Sequence, residues 1–155
     1  MYVKLLESVG LQTSACILCS RGLFCSDGET MILGIGIDIV QSDRIRLAID
    51  RYGCRFTNRV FTPGEQEYCS SKHDPFESFA ARFAAKEAAF KALGRGWDEC
   101  GGFTSVEVVS DDRKRPGLVL HGRAKHYAAG LGADRVFVSL THHAGISAAV
   151  VLFEG

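Results

Sequence analysis

Apolar and polar positions recur with two periods along the chain, and the switches between them predict the elements. From 32 to 40, ILGIGIDIV reads as a strand, whose side chains point alternately to opposite faces. Ile35, Ile37 and Ile39 then share one face, while Gly34, Gly36 and Asp38 share the other. Helical spacing follows in QSDRIRLAIDRYG, where Ile45, Ala48 and Ile49 line one side and Ser42 or Asp43 is placed to cap the start. In TPGEQEYCSSK, Thr62 stands before Pro63 and three residues before Glu65, the spacing of a capping box with proline at the first helical position. After a break near His73, Asp74 and Pro75 comes the longest predicted helix, PFESFAARFAAKEAAFKALG, rich in helix formers and closed by Gly94.

Beyond Gly94 the period shortens. FTSVEVVS, GLVLHG, RVFVSL and ISAAVVLF carry strand signals, with GRAKHYAAGLG as a helix among them and THHAG as a hairpin-like loop before the last strand. The expected fold is α+β: a mainly antiparallel sheet wrapped around or packed on one long helix. The expected organisation is one domain over 31–155, with 1–30 as an N-terminal extension that has no fold of its own.

Two of these elements carry charge where apolar residues are expected. At about 100° per residue, Phe79, Phe83, Phe90 and Leu93 fall in a band roughly 80° wide that must face the core. Lys86 lies inside that band, Glu87 lies about 40° beyond its Phe83 edge, and Lys91 is one turn after Glu87. The opposite face is alanine at 84, 85, 88 and 89, which leaves little room for a solvated side. An i,i+4 ion pair between Glu87 and Lys91, with Lys86 snorkelling along the phenylalanines, accounts for the helix alone. It does not account for Asp38, a second carboxylate on an apolar element. Two buried carboxylates repel unless a proton or cation holds them. Oxygen-only ligation by such a pair suits Mg²⁺, which keeps waters and completes its shell with substrate phosphate. Arg82, Lys86 and Lys91 then offer positive charge to the remaining oxygens of a diphosphate.

Composition narrows the classes without choosing among them. The chain has 155 residues, 46% of them hydrophobic and 23% charged, enough for one packed core and unlike a disordered chain. Lys plus Arg number 18, as do Asp plus Glu, so no generic nucleic-acid binder is expected. No stretch approaches the roughly 20 apolar residues of a membrane span. The six cysteines at 16, 19, 25, 54, 69 and 100 are expected as reduced thiols in a cytoplasmic protein. Cys16, Cys19 and Cys25 resemble half a zinc site, but no second close-spaced pair follows.

Three separated stretches, GIGIDIV, RFAAKEAAFKALG and VSLTHHAGISAAVV, together resemble in order and spacing the holo-acyl-carrier-protein synthase type of 4′-phosphopantetheinyl transferase. The resemblance runs from about Met31 to the C-terminus. It implies Mg²⁺ on Asp38 and Glu87, and coenzyme A phosphate contacts at Lys91, with Lys86 matching the first lysine of the motif. It implies a place for His142 near coenzyme A or the reacting groups, and carrier-protein docking by first-helix arginines, at Arg44 and with it Arg46 and Arg51. It also implies a homotrimer with active sites at subunit junctions. The reaction so implied is attack of a serine hydroxyl of apo acyl carrier protein on the β-phosphate of coenzyme A. The 4′-phosphopantetheine arm stays on the serine and 3′,5′-ADP leaves.

Glu87, Lys91 and His142 are then the candidate catalytic residues. His142 is suited to proton transfer by its near-neutral intrinsic pKa, or to contact with the coenzyme's 3′-phosphate, and Glu87 itself is another proton acceptor. Two other functions use the same residues: Mg²⁺-dependent hydrolysis of a nucleotide diphosphate, and a catalytically silent coenzyme A binding module.

Overall fold

The computed structural model describes residues 30–155. The expected extension without a fold over 1–30, all but its last residue, and the half zinc site at Cys16, Cys19 and Cys25 lie outside the described residues. Cys54, Cys69 and Cys100 are free thiols, the last two buried.

Among the described residues, ten helices and strands follow in order, with one 3₁₀ turn among them. They are β1 (Ile32–Gln41), α1 (Ser42–Tyr52), α2 (Cys54–Val60), α3 (Pro63–Ser70), α4 (Pro75–Leu93), β2 (Val106–Ser110), β3 (Pro116–Leu120), α5 (Gly122–Gly130), β4 (Arg135–His143) and β5 (Ile146–Glu154). The 3₁₀ turn, Phe103–Ser105, leads into β2. β1, β5 and β4 form one antiparallel sheet in that order, and β2 and β3 form a separate antiparallel pair. The α+β class and the antiparallel sheet against one long helix are as the periodicities predict.

The capping signals act largely as read. Thr62 and Glu65 form the capping box of α3, and Gly94 closes α4 in the left-handed region at φ 64°. Asp74 caps the start of α4 by accepting from the amides of Phe76 and Glu77. The start of α1 differs from expectation: neither Ser42 nor Asp43 is the cap. β1 runs straight into α1, so Gln41 takes the cap position without a side-chain bond, and the Ser42 amide donates to Gly145 O at 2.8 Å. α2 carried no reading in the sequence. THHAG is also shorter as a loop than expected, because His142 and His143 still pair with Ser147 and Ile146. Only Ala144 and Gly145 turn, both at positive φ, the form that matches the twist of a two-residue hairpin.

α4 is buried on nearly every side. Ala84, Ala85, Ala88 and Ala89 are buried completely, as are most of Phe79, Phe90 and Leu93. β1 crosses α4 so closely that a Cβ on Gly34 would lie 2.1 Å from Ala92 O, and one on Gly36 would lie 2.0 Å from Ala88 O. The glycines therefore exist for backbone approach, and the same approach brings Asp38 up to the helix. Among the described residues, nothing covers the other face of the sheet. Ile35, Ile37 and Ile39 are 62–65% exposed, and Phe137 and Ile146 stand out beside them.

Candidate functional site

Asp38 follows Gly34 and Gly36 on the helix-facing side of β1, so close packing delivers its carboxylate to the turn of α4 that carries Glu87 and Lys91. Lys91 Nζ donates to Asp38 Oδ1 at 2.8 Å and to Ile37 O at 3.0 Å. Asp38, Glu87, Arg44, Phe56 and Phe83 line one cleft of about 360 Å³. Burial pushes the Glu87 carboxyl above the usual glutamate value, and the Asp38 charge pushes it further, while Lys91 opposes both. A carboxylate held in this way gains most from a cation placed between it and its neighbour. The donors are oxygens only, and no cluster of three or more His, Cys, Asp or Glu side chains gathers among the described residues. That donor set fits an ion that keeps part of its water, as Mg²⁺ does, rather than a fully caged one.

The remaining expected site residues divide. Arg82 and His142 lie together in a second cavity of about 230 Å³, which Tyr68, Ser110 and Lys114 also line. The Arg82 guanidinium sits 3.9 Å over the Tyr68 ring, and its Nε is buried without a partner. His142 Nε2 stands 3.7 Å from Glu77 Oε2. Glu77 is ten residues before Glu87 on α4, so the contact of His142 is about 15 Å along the axis from the carboxylate pair. His142 and the Asp38–Glu87 pair therefore belong to different regions of one chain, and His142, taken from the sequence as a loop residue, is the last but one residue of strand β4.

Lys86 requires correction. It was expected at the coenzyme phosphates, yet its side chain is 0% exposed and it donates to Glu65 Oε2 at 2.8 Å, to Phe103 O at 3.1 Å and to Val106 O. Its wheel position inside the phenylalanine band was a true sign of burial, and the buried partner Glu65, 21 residues earlier, gives it a role in the interior instead. Glu65 was read only as a cap. The sequence carries no signal of its second use, nor of Glu77 beside His142.

The three arginines of α1 also separate. Arg44 lines the cleft, and Arg51, seven residues on, lies within about 20° of it around the helix. Arg46 faces elsewhere, 4.6 Å over the Phe76 ring and 3.8 Å from Asp43.

The chain is similar to known proteins in sequence and in fold. Residues 34–147 match the family model described as the 4′-phosphopantetheinyl transferase superfamily. Holo-[acyl-carrier-protein] synthase from Koribacter versatilis is 48% identical over 126 residues, covering 80% of this chain and 99% of that protein. The crystal structure of the synthase from Neisseria meningitidis superposes with a TM-score of 0.74 at 31% identity, over 81% of this chain and all of that one. The Helicobacter pylori synthase in complex with coenzyme A does so with a TM-score of 0.68 at 31% identity, over 77% of this chain and 98% of that one. Three sequence motifs, an antiparallel fold built on one helix and these likenesses converge: the chain belongs to the 4′-phosphopantetheinyl transferase superfamily, as an enzyme of the holo-[acyl-carrier-protein] synthase type.

Proposed function

We propose that the enzyme moves the 4′-phosphopantetheine group from coenzyme A to a serine of apo acyl carrier protein, with release of 3′,5′-ADP and with Mg²⁺ held by Asp38 and Glu87. The observation that carries this reading is the cleft in which the two carboxylates meet, flanked by Lys91 and Arg44. Bound there, Mg²⁺ supplies Lewis-acid stabilisation of charge on the diphosphate. Lys91, more than half exposed and within reach of Asp38, is placed to hold diphosphate oxygens and keep the phosphorus in line with the attacking hydroxyl. The serine oxygen forms a bond to the β-phosphorus as the bond to the ADP oxygen breaks. The serine proton passes to a carboxylate oxygen of Glu87 that the cation leaves free. Arg82 and His142, which line one cavity, are assigned to contact with the coenzyme.

The decisive experiment mixes the protein with Mg²⁺, coenzyme A and apo carrier, and follows the carrier by mass spectrometry. Gain of the phosphopantetheine arm is the expected result. Nucleotide release with an unmodified carrier would replace transfer by hydrolysis, and neither change would reduce the site to a binding module.

Arg44 and Arg51 present their charges from one side of α1, beside the cleft, to an acidic carrier. Arg44→Glu is expected to raise the apparent KM for carrier at least about tenfold at low ionic strength, and by less in salt, where the screening length falls to about 8 Å. An unchanged KM would remove this docking surface from the reading.

The homotrimer is proposed on the bare sheet face. Five large apolar side chains, Ile35, Ile37, Ile39, Phe137 and Ile146, form a patch of the kind that marks an interface. Ile37→Asp is expected to leave a folded monomer by light scattering with size exclusion, and a persisting trimer would show that the face is not the contact.

A further inference from the structure

Lys86 commits its whole hydrogen-bonding capacity inside the protein. An ammonium has three donors, and all three are used, on Glu65 Oε2, Phe103 O and Val106 O. Glu65 is equally committed: Oε2 also accepts from Thr62 N at 2.8 Å, and Oε1 accepts from Val108 N at 2.9 Å. One ion pair thus ties together the start of α3, the middle of α4, the 3₁₀ turn and β2. Burial pulls the Lys86 ammonium below the usual lysine value, and the Glu65 charge works against that. A pair this deep is a poor source of stability, because desolvation of both charges is rarely repaid and packed apolar side chains hold such positions as well or better.

The pair does fix geometry on two sides of the cleft. Lys86 and Glu87 are adjacent, so the step of about 100° between them turns one to the interior and the other to the cleft. The bond to Phe103 O holds the residue whose ring stacks on Phe83 at 5.2 Å, and Phe83 lines the cleft beside Glu87. On its far side Phe103 stacks on Trp97 at 5.6 Å. We infer that Glu65 and Lys86 are positioning residues: the buried pair sets the rotation of the α4 turn that carries Glu87 and seats Phe103 behind Phe83, and so governs how tightly the cleft holds a divalent cation. The inference rests on the reading of Asp38 and Glu87 as cation ligands.

Binding of Mn²⁺, in place of Mg²⁺, to the full chain is measurable by electron paramagnetic resonance without any turnover. Thermal unfolding and fluorescence are read on the same samples, and Trp97, the single tryptophan, reports the Phe103 stack. Lys86→Met alone strands a buried carboxylate, so the double variant Lys86→Met with Glu65→Gln, which removes both charges at similar shape, is the main probe. It is expected to unfold cooperatively, with altered Trp97 emission and Mn²⁺ binding weakened about tenfold to a hundredfold, the range seen when groups behind metal ligands are lost. Glu65→Gln alone, which keeps the carbonyl bonds of Lys86, is expected to lose less, and it decides the matter should the double variant not fold. Wild-type Mn²⁺ affinity in either folded variant overturns the proposal and leaves the pair as core packing. If the unaltered protein binds Mn²⁺ no better than Asp38→Asn does, the cation site itself falls, and the positioning role with it.

Discussion

Glu87→Gln is expected to lower the rate of phosphopantetheine transfer at least about a thousandfold, or about 4 kcal/mol of transition-state stabilisation, while the protein stays folded. The amide keeps the shape of the side chain but can no longer neutralise a cation or take a proton, and Asp38 is left as the lone carboxylate of the cleft. Stability should move the other way. Burial and Asp38 raise the Glu87 pKa in the folded chain, so the stability this group contributes is complete below the ordinary glutamate pKa and is lost as pH rises through the folded value. At neutral pH the ionised carboxylate therefore opposes folding, and the amide removes that opposition. The variant should melt no lower than the unaltered protein at pH 7, and its advantage should vanish in acid. Asp38→Asn should lose as much activity, but it also strips Lys91 of its partner, so it should gain no stability. Near-normal turnover in both variants would sink the assignment of these carboxylates.

Gly36→Ala carries the largest expected effect on the fold. The new Cβ would lie 2.0 Å from Ala88 O and 2.7 Å from Ala92 N, and both are backbone atoms of α4 that no side-chain rotation can clear. Strand and helix would have to part along the seam that carries the core. A loss of at least about 3 kcal/mol is expected, at the upper end of overpacking costs. Gly34→Ala meets Ala92 O at 2.1 Å and should behave alike, whereas Gly64→Ala, with its nearest contact at 3.6 Å on a side chain, should be tolerated. Urea unfolding compares the three, and a wild-type midpoint for Gly36→Ala would mean that strand and helix lie further apart than described. Because separation of β1 from α4 also withdraws Asp38 from Glu87, any folded Gly36→Ala should bind cation poorly.

Much of this was legible because local rules sufficed. The capping box at Thr62 and Glu65, the glycine stop at Gly94 and the alternation of β1 need only near neighbours in sequence. The two glycines of β1 could be read as room for a ligand or as close packing. Only the position of Ala88 O decides for packing. Lys86 failed for a related reason. A helical wheel tells which side a residue faces but not what waits there, and Glu65 is brought to it by tertiary packing. His142 went to a loop because THHAG looks like five turn residues, whereas Ala144 accepts a left-handed backbone and lets the strands run on to His143. Arg46 was grouped with Arg44 because both lie on the first helix, but two residues on a helix are about 200° apart.

The bare sheet face gives the chain a property that no single copy has. If Ile35, Ile37 and Ile39 leave water only when copies meet, association acts as a ligand for the folded state, and mass action makes the melting temperature rise with protein concentration. Dilution alone should then soften the enzyme, and a cell that makes little of it would hold a less stable protein than one that makes much.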